Sequence, residues 1–206
     1  MNSKAKSSIK FSISIAVITF VLAAIFSIIS SSILGDVIWL VGLLIVFLIV
    51  LLGVVFDMLG IAATAASETP FHAMAAEKVN GAKESIVIVR NADKFASFCN
   101  DVIGDISGII SGTASAIVVL QISMIFGNGD GSTLQIVLQV IITSLVAALT
   151  VGGKAVGKFL AIHYSTTIIF FSGKVIGLIQ DNLKVRILPK DKKSSKSKKK
   201  QTKGKA

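Results

Sequence analysis

Several residue types are scarce in this chain, and each scarcity excludes something. A single cysteine, Cys99, rules out an internal disulfide and any cysteine-based zinc site. The two histidines, His72 and His163, lie far apart and have no metal-ligand spacing. Two prolines among 206 residues leave no proline-rich linker. Only 16% of the residues are charged, where an ordinary soluble domain has about a quarter. No nucleophile-base-orienter set, phosphate-binding loop or metal-hydrolase motif occurs, which points away from an enzyme and from any organic cofactor. What the chain does have is apolar sequence: 53% hydrophobic residues and a mean hydropathy of +0.82. A soluble surface built from it would be too apolar to stay dispersed. The composition is that of an integral membrane protein.

The net charge of +10 is localised. Eleven of the 21 Lys and Arg residues fall between Lys184 and Lys205, leaving a body in which acids and bases balance. The segment 183–206 is low in complexity and self-repelling, so a disordered polybasic tail is expected. No aromatic residues are interleaved for base stacking, which argues against nucleic acid. An anionic leaflet or an acidic protein is the expected partner of such a cytoplasmic tail.

Four apolar stretches are long enough to cross a bilayer, since about 20 helical residues span about 30 Å. They cover residues 11–34, 37–66, 95–126 and 133–153. The first follows Lys4, Lys6 and Lys10 and reads as a retained anchor, because its apolar run exceeds that of a signal peptide. A Gly-, Asn- and Asp-containing turn at 127–132 joins the last two. The apolar stretch after Lys158 is interrupted by His163 and Lys174 and reads as an interfacial helix. Lysines and arginines gather before the first span, in the 67–98 segment and in the tail; the two short loops carry none. The positive-inside rule then puts both termini in the cytoplasm of a multi-pass cell-membrane protein. Trp39, near the outer end of its span, fits an interfacial aromatic belt.

Ser67-Glu68 closes the second apolar stretch, and a short helical hairpin pattern, "PFHAMAAEKVNGAKESIVIVRNADKF", follows it. Ile103-Gly104-Asp105 stands in the next span, and Gly153-Lys154-Ala155-Val156-Gly157-Lys158 stands at the end of the fourth. In order and spacing these motifs resemble the transmembrane domain of the cyclin M/CorC/CorB family, associated with magnesium and cobalt transport. The resemblance covers roughly residues 37–179. It implies an all-α membrane domain with a cytoplasmic hairpin, a homodimer, and Mg²⁺ as bound or transported ion. Where the family has asparagine, glutamate and proline, this chain has Asp105, Lys154 and Gly157. The family's CBS domains have no counterpart in these 206 residues. The expected organisation is an extra anchor in 1–36, the family-like domain in 37–182 and the tail in 183–206.

Charges at membrane depth mark the candidate site. Asp57 lies 20 residues after Val37, Lys154 lies 20 after Leu134, and Asp105 lies 21 before Phe126. At 1.5 Å per residue all three sit about 30 Å below the outer surface. Asp101 and Asp105 are four apart and share a helix face. Magnesium takes one or two carboxylates plus waters, so Asp101, Asp105 and the Ser67 hydroxyl, with Gly104 between them in the motif, form the candidate metal site. The alternative is that these groups mark the interface, where charge is cheap. An ammonium beside a carboxylate repels a divalent ion, so Lys154 is expected to pair with Asp105 as a counter-ion or gate, or else to snorkel to headgroups. Gly104, Gly108 and Gly112 form a small-residue stripe suited to close helix packing, within the chain or across a dimer. Gly153 and Gly157 are expected to permit a kink or close contact where the fourth helix leaves the membrane.

The lysine distribution sets the first test. With Cys99→Ser as background, Ser195→Cys should be labelled by an impermeant thiol reagent only after cells are opened; labelling of intact cells overturns the topology.

Overall fold

The computed structural model describes residues 3–126 and 133–183, all helical apart from short connections. The expected turn at 127–132 and the basic run from Lys184 onward lie outside the described residues. The elements are α1 (Ser3–Asp36), α2 (Trp39–Ala65), α3 (Thr69–Ala76), α4 (Ala82–Arg90) and α5 (Ala92–Ser97). A π-helical segment, Phe98–Gly104, runs into α6 (Asp105–Phe126), followed by α7 (Thr133–His163) and α8 (Ser165–Leu183). Four stretches are long and apolar enough to cross a membrane: Ser12–Gly35, Trp39–Ala65, Ala92–Ile125 and Thr133–His163. Ser165–Gln180 is a shorter apolar helix. The protein is an all-α, membrane-embedded chain.

The helix α2 is central, packing against α6, α7, the π-helical segment, α5 and α8. Its glycines make this possible. A Cβ on Gly53 would lie 2.9 Å from Ser107 Cβ, and one on Gly60 would fall on the Asn100 amide. On the other side Gly153 of α7 meets Val54, and Gly157 meets Val54 and Met58. Small residues let backbones approach in lipid, where dispersion and hydrogen bonds must replace the hydrophobic effect. Gly153 and Gly157 therefore do not end the fourth helix. The helix continues ten residues past Gly153, because these glycines serve contact with α2 within it.

At the end of the bundle where α1 gives way to α2, Gln121 of α6 donates from Nε2 to the carbonyls of Leu34 (2.7 Å) and Val37 (3.0 Å). These belong to the α1–α2 break, whose carbonyls have lost their helical partners and need others where water is scarce. Leu34, Val46, Ala114 and Val118 pack beneath it. The extra helix α1 rests on α6 and the π-helical segment, its Ile15, Leu22 and Ala23 against Val102, Ile106 and Ile110.

At the opposite end α3 to α5 form the expected hairpin. Pro70 occupies the first turn of α3, where its missing N–H costs nothing. The return into α4 passes through Gly81 at φ +91°, where a Cβ would also press on the Lys174 backbone 2.6 Å away. Ser85 then donates to the Ile169 carbonyl of α8 at 3.1 Å. Phe71, Ile88 and Ile169, all fully buried, join Ala62, Ala63 and Ala161 in one cluster. Hairpin, α2, α7 and α8 thus share a core at this end.

These contacts separate two kinds of glycine. Gly60→Ala should destabilise by about 1–3 kcal/mol, as overpacking does. Gly108→Ala, with nothing within 4 Å of its Cβ, should stay within about 0.5 kcal/mol. Thermal unfolding of both in one detergent checks the ordering, and equal costs would contradict the α2 packing.

Candidate functional site

Asp57 sits on α2 between two helix contacts. On one side its carboxylate lies over Gly104, where a Cβ would stand 3.9 Å from Asp57 Oδ1. On the other, Lys154 Nζ of α7 approaches Asp57 Oδ1 to 3.6 Å. The carboxylate is 15% exposed and the lysine side chain 31%. Lys154 therefore does not pair with Asp105, as its depth suggested; it pairs with Asp57. Depth is set by sequence spacing, but azimuth is set by packing. Gly153 and Gly157 turn their face of α7 onto α2 at Val54 and Met58, which brings the intervening Lys154 to α2.

The energies are of comparable size. Each charge costs about 2.5–3.5 kcal/mol at the centre of a span and less towards its end. Attraction between unit charges about 4 Å apart is about 4 kcal/mol at an effective dielectric near 20. The pair roughly offsets its own desolvation, whereas either member alone would leave the other uncompensated.

The remaining candidate ligands are not gathered around it. Asp101 and Asp105 are exposed on the outer face of their helix, with no ion pair or hydrogen bond among the described residues. Ser67 is exposed and engaged locally before α3: Thr69 N–H donates to its Oγ at 3.4 Å, and Ser67 Oγ donates to Thr69 Oγ1 at 3.4 Å. Gly104 is buried against α2. Among the described residues no three His, Cys, Asp or Glu side chains group as metal ligands. The glycine stripe also divides. Residues four apart drift about 40° around a helix of 3.6 residues per turn, so Gly104 faces α2 while Gly108 and Gly112 are exposed with nothing within 4 Å.

Sequence reasoning missed the π-helical segment. Its i→i+5 pattern adds a residue to the turn and sets Asn100 against Gly60, with the amide oxygen buried and unpartnered. No residue type in "FCNDVIG" announces it; the alternation of buried Cys99, Val102 and Gly104 with exposed Asp101 arises only from packing. Cys99 is buried, in keeping with a packing role.

A second polar cluster lies just beyond α2. Glu68 Oε2 accepts from Arg90 Nε at 3.0 Å and lies 3.1 Å from His72 Nε2. Slight burial raises the Glu68 pKa, but hydrogen bonds from His72 and Arg90, with their charges, outweigh it and hold it below its ordinary value of 4.5. The sign follows: this depressed carboxylate stabilises the hairpin at neutral pH, and that contribution is lost as pH falls below about 4.5. Arg90 Nη2 also lies 3.4 Å from His72 Nε2, so His72 helps tie α3 to α4.

Comparison with protein-family models, curated proteins and solved structures gives no match to this chain.

The ion pair predicts coupling. Asp57→Asn and Lys154→Met should each destabilise by about 1–3 kcal/mol. The double variant should cost at least about 1 kcal/mol less than their sum, because neither charge is then left alone. Denaturant unfolding in mixed micelles measures the cycle; additive costs would show that the two do not interact.

Proposed function

We propose that this chain is a non-transporting membrane scaffold or regulatory subunit, a divergent relative of the cyclin M/CorC/CorB transmembrane domain in which a tethered ammonium replaces a metal ion. The observation that carries it is the Lys154–Asp57 contact at 3.6 Å. An ammonium of that kind neutralises the partly buried carboxylate as a cation would, but it cannot leave, so the site is closed. The outward Asp101 and Asp105 suit the inner membrane interface, where charges are cheap. The protein has no catalytic role in this reading. Gly108 and Gly112 face outward from α6, and in lipid an exposed small-residue face favours association with a second copy. Both termini are cytoplasmic, and the basic tail meets anionic lipid or an acidic protein.

A second reading has the same fold handling a divalent cation, Mg²⁺ or Co²⁺. The π-helical segment supports it, since such segments often sit at functional sites, and Asn100 offers an unpartnered oxygen beside α2. In that reading Lys154 gates the site and swings away when the ion enters.

Thermal stability against magnesium separates the two. A bound ion at a hundredfold excess over its Kd stabilises by about 2.7 kcal/mol. The closed-site reading expects no magnesium-dependent rise in Tm for the wild type. Lys154→Glu should melt lower without magnesium, through carboxylate repulsion at Asp57, and recover with it. A magnesium-dependent rise in the wild type, lost in Asp101→Asn or Asp105→Asn, would overturn the scaffold reading in favour of transport.

A further inference from the structure

One nitrogen of His72 faces two neighbours with incompatible demands. Its Nε2 lies 3.1 Å from Glu68 Oε2, a carboxylate oxygen that can only accept. The same Nε2 lies 3.4 Å from Arg90 Nη2, which can only donate. A neutral imidazole nitrogen is either an N–H or a lone pair, so it serves one of these neighbours at a time. Arg90 reaches both groups, with Nε 3.0 Å from Glu68 Oε2 and Nη2 towards the ring. That edge of the guanidinium is a fork whose two prongs suit a pair of adjacent acceptors. Glu68 and Arg90 are the charged groups that meet the ring: Glu68 precedes its own helix, and Arg90 ends α4, against which α3 packs. Elsewhere in the same cluster, Asp57 of α2 is taken up by Lys154. On α8, Lys174 meets Gly81 and Gly177 lies under Glu84, both at the far end of α4 from Arg90. Among the described residues no ion pair joins His72 to Asp93 or Lys94 of α5. The His72 side chain is 51% exposed, so solvent protons reach it.

We propose that His72 is a proton-operated latch on the hairpin, held by Arg90 when neutral and by Glu68 when charged. In the neutral form the proton sits on Nδ1 and the Nε2 lone pair accepts from Arg90 Nη2. The Arg90 fork then clasps His72 and Glu68 together, tying α3, α4 and the exit of α2 through one guanidinium. When Nε2 takes a proton from solvent it donates to Glu68 Oε2, and Arg90 Nη2 faces an N–H of like charge. The bond that crosses from α3 to α4 is exchanged for one that stays on the α3 side. Imidazole is the side chain whose ordinary titration falls between about pH 5 and 8, so the exchange takes place near neutrality. Glu68 stays ionised there, since its carboxyl is held below its ordinary 4.5, and Arg90 stays charged throughout. The latch turns on a single proton. The end of α4 that it frees leads directly into α5 and the π-helical segment, both packed on α2, so the proton bears on the hairpin end of the bundle. This cluster is separate from Lys154 and Asp57, and the inference does not depend on whether that site is closed.

The test uses the full chain in nanodiscs, with nitrogen-15 in its histidines and His163→Gln as the background that leaves His72 the only imidazole. Ring-nitrogen chemical shifts distinguish the Nδ1–H tautomer, the Nε2–H tautomer and the charged ring. At about pH 8 the wild-type ring should be the Nδ1–H tautomer, because the hydrogen bond made by one nitrogen decides where the proton sits. Arg90→Met should convert it to Nε2–H at the same pH, since Glu68 then has the sole claim on that nitrogen. At about pH 5.5 the ring should be charged, and amide exchange across residues 82–90, corrected for the intrinsic effect of pH, should quicken at least about threefold over its value at pH 8. His72→Gln, which has no titrating nitrogen, should show equal corrected exchange at the two pH values. An Nε2–H ring at pH 8 in the presence of Arg90 overturns the proposal. Exchange across 82–90 that ignores pH, or a pH effect that survives in His72→Gln, overturns it equally.

Discussion

The close approach of α2 to its neighbours is the constraint on which the rest depends. Without a hydrophobic force between helices in lipid, a spanning helix is held by contacts at short range. Gly53 and Gly60 admit Ser107 and Asn100 on one side, and Gly153 and Gly157 admit Val54 and Met58 on the other. Asp57 lies between these contacts, so its surroundings are set by glycines that carry no chemistry of their own. Widening the α2–α7 contact would separate Lys154 from Asp57 and leave two charges where neither is cheap.

The same logic shapes the end of the bundle that carries the hairpin. Gly81 and Gly173 remove the side chains that would keep α4 from α8, and Ser85 fills the gap with a hydrogen bond to the Ile169 carbonyl. Glu68, at the exit of α2, is tied to Arg90 at the end of α4. The hairpin is therefore fixed to both the entry and the exit of the membrane bundle. A shift of α8 has a continuous packed route through Phe71, Ile88 and Ile169 to Ala62 and Ala63 of α2.

Much of the architecture was legible because hydropathy and length act locally. Four spans, the hairpin near Pro70 and Gly81, and the short apolar helix after the fourth all follow from runs of residues and their breaks. Helix ends were less legible. Gly153 looked like an exit, yet α7 continues to His163, since a glycine inside a membrane helix is retained when a neighbour occupies the space it leaves. The candidate site was legible only in depth. Asp57, Asp105 and Lys154 stand at like positions along their spans, and two of them, Lys154 and Asp57, do meet at 3.6 Å, but the partnership expected was with Asp105.

That misassignment marks the boundary between the two sources of information. The sequence by itself determined that the chain carries four stretches long and apolar enough to cross a membrane, roughly where each lies, where the positive charge collects and which ionisable groups stand at like positions along them. Each follows from composition or from a rise of 1.5 Å per residue. Only the tertiary structure decided that Lys154 meets Asp57, that Asp101 and Asp105 turn outward, and that Gly104 parts company with Gly108 and Gly112. Those outcomes depend on the rotation of one helix against another. Rotation is settled by contacts between residues far apart in the chain, and by a π-helical turn whose extra residue no local pattern reveals.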